Sequence, residues 1–384
     1  MRTTRLLATT FGLFTLLITG TLLAQSKPSL GDIDPDMKAD KPAADGLVWH
    51  DVTEWGVEGR ILPDQPRDRW FDRFPKSANG HVTPAVWNLS RDSAGMMVRF
   101  KTDATEIHVH YKLMDANLAM PHMPATGVSG IDLYARDTDG KWKWVMVTKP
   151  NKQEMKTAII KGLAPGMREY AAYLPLYNGV EFVQIGVKPG AKFEGLAPRE
   201  KPIVFYGTSI THGACASRPG MVHTAILGRW FDRPVVNLGF SGNGKMDKEV
   251  GDYLVQLDPA AYVIDCLPNM NAAAVTERCV PLVKQLRAAR PDTPIILVED
   301  RRNTNDWILP ARHEHHTQNH AALKAAYEEL KKAGIQHLAY IEGDTLYGDD
   351  TEGATDASHA SDLGFMRQAE AFKPVLETML GESK

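Results

Sequence analysis

Phe205-Tyr-Gly-Thr-Ser-Ile-Thr-His-Gly213 begins inside the apolar run 202–205 and passes into a turn of small residues. A buried strand that stops on Gly-Thr-Ser has to bend sharply there, and two readings account for the serine. Ser and Thr favour helix N-caps and Gly favours turns, so any strand-to-helix junction looks similar. Alternatively, Ser209 is held at the bend as a nucleophile. The rest of the chain decides between them.

Around this stretch, β-branched runs at 202–206, 235–239, 262–266, 294–298 and 338–341 alternate with segments of helical period such as 275–290, 316–333 and 362–380. Five apolar runs separated by helices predict a parallel sheet covered on both faces, a three-layer α/β/α domain over 198–384. Lys331-Lys332-Ala333-Gly334 closes one helix with cations in the last turn and a glycine after it. Upstream, 47–197 carries short alternating runs (96–100, 106–113, 131–136, 142–148, 170–174 and 182–187) with Asp139-Gly140 between two of them, which predicts an antiparallel β-sandwich. The Pro-rich, charged joint at 196–202 separates the two.

The ends and the composition set outer bounds. Arg2 and Arg5 followed by an apolar run to Leu23-Ala24 read as a signal peptide, 1–24, and 25–46, rich in Lys, Asp and Pro, as a linker. This predicts a periplasmic or secreted protein, with an uncleaved anchor as the alternative. A 384-residue chain with 43% hydrophobic and 24% charged residues fits two globular domains, and a net charge of −3 offers no basic surface for nucleic acid or anionic membrane. Three cysteines exclude a disulfide framework, though a Cys215–Cys266 bridge stays open.

In parallel sheets, ligands sit beyond the carboxyl ends of the strands. Ser209, the Ser241-Gly-Asn-Gly244 turn, Asn269, and Asp356 with His359 all follow apolar runs and would face one crevice. Ser, Gly and Asn are ordinary turn residues, and a loop histidine is more often solvated than catalytic. That reading covers each residue singly but not the set, for acyl transfer needs all of them. A serine needs a base to take its proton, the imidazole of His359 suits that task, and a carboxylate such as Asp356 fixes the tautomer. Amides at Ser209, Gly242 and Asn269 could hold a developing oxyanion, each donor worth about 3 kcal/mol of barrier.

Tyr206-Gly-Thr-Ser-Ile-Thr211, Gly242, Asn269 in Asp265-Cys-Leu-Pro-Asn-Met270 and Asp356-Ala-Ser-His359 together resemble the four blocks of the SGNH (GDSL-type) hydrolases, in order. Gly130-Ile-Asp-Leu-Tyr134 resembles the motif of the GxDLY-type sandwich that precedes one SGNH subgroup, which includes acetylesterases of carbohydrate esterase family 20. The resemblance implies a flavodoxin-like catalytic domain and metal- and cofactor-free hydrolysis through an acyl-serine. It further implies Ser209 as nucleophile, His359 as general acid/base, Asp356 as its orienter, Ser209, Gly242 and Asn269 as the oxyanion hole, and an acetylated carbohydrate as substrate. Thr208 and Ile210 stand where Asp and Leu are usual, Leu267 precedes the third block's Pro268-Asn269, and Ala360 follows the histidine where proline is common. A longer-chain lipase- or thioesterase-like acylhydrolase and a non-catalytic carbohydrate-binding protein are the alternatives.

Three further clusters compete for function. His316 and His320, beside His313 and His315, have i, i+4 spacing for zinc, against a polar loop running into a helix. Met114, Met120, His122 and Met123 offer soft ligands for Cu(I), against ordinary packing. Arg218, Arg301 and Trp307 read as a sugar-binding rim of planar donors and an aromatic face, against a solvated loop.

Overall fold

The computed structural model describes residues 46–381 together with Asp34 and Met37. The leader read at 1–24 and, apart from residues 34, 37 and 46, the linker read at 25–46 lie outside the described residues.

Nine strands build two antiparallel sheets: β1 (Val48–Asp51), β2 (Met97–Thr102), β3 (Glu106–Leu113), β4 (Asp132–Arg136), β5 (Trp142–Val147), β6 (Glu154–Lys161), β7 (Arg168–Tyr173), β8 (Val180–Val187) and β9 (Phe193–Leu196). Their orders are β1-β8-β3-β6 and β5-β4-β7-β2-β9. Because successive side chains point to opposite faces, Val98 and Phe100, Ile107 and Val109, and Val183 and Ile185 each reach the same core between the sheets. The segment between β1 and β2 does more than join strands. Ile61, Phe74, Val82, Val86 and Trp87 leave the sandwich and pack against the parallel sheet, where the fully buried Arg73 guanidinium donates to the carbonyls of Asn237 and Gly239 and to that of Leu89.

The parallel sheet comprises β10 (Ile203–Gly207), β11 (Val235–Gly239), β12 (Ala261–Asp265), β13 (Ile295–Val298) and β14 (Leu338–Ile341), ordered β11-β10-β12-β13-β14. Val204, Tyr206, Ile264 and Leu297 face the helices Lys248–Leu254, Ala272–Ala289 and Pro310–Lys332. Their neighbours Phe205, Val263, Ile296 and Val298 face His223–Trp230 and Asp362–Leu380. The chain leaves β10 for one side and returns to β12 on the other, so the crevice expected at a reversal of strand order opens at the end of β10. In register, Gly207 lies beside both Gly239 and Asp265. Three strands thus end level, and the loops after them meet at one height.

Candidate active site

Ser209 opens a one-turn helix, Ser209–His212, directly after β10, with the Thr208 side chain accepting from the Ile210 N–H as N-cap. Its Oγ lies 2.8 Å from His359 Nε2. On the far side of the ring, Nδ1 lies 2.8 Å from Asp356 Oδ2. The other Asp356 oxygen accepts the backbone N–H groups of His359, at 2.7 Å, and Ser358, at 3.1 Å. The Asp-x-x-His spacing therefore works through a tight loop closed on the carboxylate, with Ala357 at φ 70°, rather than through a helical turn. Partial burial opposes the Asp356 charge, but the His359 backbone N–H and ring outweigh it and hold this carboxyl below the usual aspartate range. Asp356 therefore stays ionised through the range where an imidazole titrates.

Opposite the imidazole, Ser209 brings an N–H from the first turn of its helix, where such groups lack intrahelical partners. Gly242, at φ 67°, sits in the turn after β11; its left-handed backbone is one that side-chain-bearing residues rarely adopt. Asn269 ends the 3₁₀ turn Leu267–Asn269 after β12, its amide donating at 3.3 Å to the Phe240 carbonyl. That turn carries the non-glycine Leu267 as a buried side chain. Ser209, Gly242, Asn269 and His359 line one cavity of about 490 Å³.

The sandwich half supplies part of the wall. Met120, His122 and Tyr177 line the same cavity. The Tyr177 hydroxyl is 2.7 Å from Ser241 Oγ and donates to the Ser209 carbonyl at 3.3 Å, while its ring stacks on His212 at 4.1 Å. The His122 ring centroid lies 6.3 Å from that of His359. No local sequence signal marks Tyr177, which only the tertiary fold brings to Ser209. Met120 and His122, grouped in the sequence as soft metal ligands, serve here as cavity wall.

The sugar-binding rim read from the sequence needs correction. Arg301 is 2% exposed and grips both oxygens of the fully buried Asp265, while its Nε donates to Gln368 at 2.7 Å. Complete burial pushes the Asp265 carboxyl up, and Arg301 pulls it back. A loop composition of Asp, Arg and Asn does not disclose which side chain turns inward, and here the arginine does.

Arg218 is not on a rim either. It donates to Asp132 at 3.0 Å and to the Tyr134 hydroxyl. Asp132, fully buried, also accepts the Gly220 N–H and the Trp144 indole, each at 2.8 Å. A Cβ at Gly220 would sit 2.4 Å from the Tyr134 ring. The Gly130–Tyr134 motif is thus the seam between sandwich and parallel sheet. Arg218→Ala is expected to lower the unfolding free energy by about 3 kcal/mol, since it leaves a buried carboxylate short of its cation. Chemical denaturation of wild type and variant measures the difference. Trp307 is 74% exposed, in the loop between β13 and the helix Pro310–Lys332.

The histidine cluster is spoken for. His316 bonds Asp300 at 2.8 Å and Asn303 at 3.2 Å, and His320 bonds the Asp300 carbonyl at 2.8 Å. Both ring nitrogens of His316 are engaged, which argues against a shared zinc ion on that face. The soft-ligand set is dispersed: Met123 lies in the core under the sheet, Met114 packs at Gly179, and only Met120 and His122 reach the cavity. Cys215, Cys266 and Cys279 are free and buried, so the Cys215–Cys266 bridge is not formed.

The chain matches the GDSL-like Lipase/Acylhydrolase family over residues 200–377 and the N-terminus of Esterase_SGNH_hydro-type (GxDLY) over 47–193. A solved structure from Bacteroides ovatus ATCC 8483, described as a GDSL-like lipase, is 32% identical with a TM-score of 0.82, covering 88% of this chain and 98% of that one. The salicylyl-acyltransferase SsfX3 from a tetracycline biosynthetic pathway shares the fold at 18% identity and TM-score 0.71, covering 88% and 98%. So does the acetyl xylan esterase Est2A from the rumen bacterium Butyrivibrio proteoclasticus, at 10% identity and TM-score 0.54, covering 88% and 100%. No curated protein sequence matched. On these matches and this fold, the chain belongs to the GDSL-like lipase/acylhydrolase (SGNH hydrolase) family and is a carboxylic ester hydrolase.

Proposed function

We propose that the protein is an exported serine esterase that removes O-acetyl groups from carbohydrates. The observation that carries the chemistry is the unbroken relay Ser209 Oγ, His359 Nε2, His359 Nδ1, Asp356 Oδ2, with 2.8 Å at both hydrogen bonds. Ser209 attacks the acetyl carbonyl and His359 Nε2 takes its proton. The tetrahedral oxyanion is held by the N–H groups of Ser209 and Gly242 and the amide of Asn269. His359 returns the proton to the departing sugar hydroxyl, leaving acetyl-Ser209. Water then enters along the same path, activated by His359, and acetate leaves.

Three features support a small acyl group on a sugar. The cavity of about 490 Å³ lies in the lower half of the range of about 300–1,000 Å³ usual for ligand pockets. A pyranose occupying part of it leaves space for a short acyl chain. Exposed Trp307 stands at the same end of the sheet, where its indole can stack on a sugar ring. An acetyl xylan esterase shares the fold. The apolar run behind Arg2 and Arg5 supports delivery to the periplasm or medium.

The test compares 4-nitrophenyl acetate, butyrate and octanoate, then acetate release from acetylated xylan, xyloglucan, pectin and mannan. An acetylesterase should lose roughly tenfold or more in kcat/KM between acetate and octanoate. A preference for octanoate would establish a long-chain acylhydrolase instead, and no turnover by folded protein would leave only carbohydrate binding.

A further inference from the structure

The Cys215 thiol is hydrogen-bonded to Thr355 in the loop that carries Asp356. Cys215 is buried at 7% exposure yet belongs to none of the hydrophobic clusters among the described residues. It also holds a left-handed backbone, φ 70°, unusual for a residue with a side chain. The turn that carries it is tied to the nucleophile, for the N–H groups of Gly213 and Ala214 both donate to the Ser209 carbonyl. Its thiol lies close to the relay. Sγ, an Asp356 oxygen and a His359 ring nitrogen all lie within 4.8 Å of one another. Among the described residues, no other three His, Cys, Asp or Glu side chains are placed to share one ion.

We propose that Cys215, Asp356 and His359 form a binding site for a borderline-soft divalent cation such as Zn²⁺, and that its occupancy switches the esterase off. The inhibitory effect rests on the catalytic reading above; the site itself does not. Thiolate, imidazole and carboxylate are the donor types zinc takes, with bonds of about 2.0–2.3 Å, so a tetrahedral ion needs ligand atoms roughly 3.3–3.7 Å apart. The Asp356 and His359 atoms, 2.8 Å apart, must part by about 0.5 Å and Sγ must approach them by up to about 1.2 Å, and the half-exposed Asp356 side chain opens the site to solvent, which can supply the fourth ligand.

The consequence for catalysis follows from proton bookkeeping. A cation on Nδ1 takes the place of the N–H that points at Asp356, and the neutral ring then carries its single proton on Nε2. That nitrogen becomes a donor and cannot accept the Ser209 proton. The imidazole has neither gained nor lost charge, while the thiol has given up one proton to solvent.

Two measurements on the full chain decide the matter. In the first, Cd²⁺ is titrated into Ser209→Ala, with the ultraviolet thiolate-to-metal charge-transfer band as readout. One equivalent should produce the band, Cys279→Ser should retain it, and Cys215→Ser or, should that variant fold poorly, Cys215→Ala should abolish it. In the second, Zn²⁺ inhibition of 4-nitrophenyl acetate hydrolysis is compared with each variant's own metal-free rate. Zinc should inhibit reversibly with EDTA, and Cys215→Ser should raise the inhibition constant roughly thirtyfold or more. A band that survives loss of Cys215, or equal zinc sensitivity with and without that thiol, overturns the site. Absence of turnover would remove the catalytic reading while the cadmium titration still decides the site.

Discussion

Ser209→Ala is expected to reduce kcat for an acetyl ester by about 10⁴–10⁶ while leaving the unfolding midpoint unchanged. Oγ is the only atom removed, and its sole side-chain partner in the relay is the His359 ring, so the loss belongs to bond-making rather than to packing. His359→Ala should cost about as much, because without the base the hydroxyl stays a weak nucleophile. Asp356→Asn should cost less, roughly 10⁴. The two backbone hydrogen bonds to Asp356 Oδ1 can persist to the asparagine carbonyl oxygen, so the loop keeps its shape and only the ring's orientation and charge support suffer. The measurement is steady-state kinetics on 4-nitrophenyl acetate with denaturation curves alongside. Near-wild-type turnover in Ser209→Ala, or a larger loss in Asp356→Asn than in His359→Ala, would overturn the assigned roles.

Arg301→Met is expected to destabilise the protein by about 3–5 kcal/mol. The guanidinium is bound bidentately by Asp265 in a site without solvent, and its loss strands a carboxylate at the end of β12. Thr211 Oγ1, 3.2 Å from Asp265, lies two residues from Ser209. Gln368 ties the same arginine to the helix Asp362–Leu380, which follows the His359 loop. The cluster thus clamps both ends of the relay to the sheet. Replacing Asp265 as well, by Asn, should recover part of the stability, since the uncompensated charge goes with it. A double variant less stable than Arg301→Met by the full cost of a second independent lesion would count against this account.

Much of the fold was legible because buried parallel strands read as apolar runs and the crevice residues come directly after them. Ser209, Gly242 and Asn269 each follow a run by a few positions, and Asp356 sits three residues from His359, so local spacing was enough to group them. Local spacing fails where the partner is distant. Arg301 was read as a solvent-facing sugar ligand because its loop is polar, whereas its orientation is set by Asp265, 36 residues earlier. Arg218 was misread for the same reason, its partners Asp132 and Tyr134 lying more than eighty residues upstream. In the sandwich, β6 went unnoticed although Met155, Thr157 and Ile159 alternate inward. An inward threonine, Thr157, between Lys156 and Ala158 masks the hydrophobic period. Met120 and His122 were noticed as an unusual cluster, but that they belong to the cavity wall depends on a tertiary contact that no window of sequence contains.

The division of the cavity between the two halves of the chain has an evolutionary corollary. The atoms that break the ester all hang on loops of the parallel sheet, whereas Met120, His122 and Tyr177 arrive from the sandwich without taking part in the relay. Exchanging the 114–124 loop among relatives would therefore retune which alcohol is accepted while the bond-breaking apparatus stays untouched. Because Ile61, Phe74, Val86 and Trp87 complete the core beneath the parallel sheet, that retuning takes place within one folding unit rather than between separable pieces.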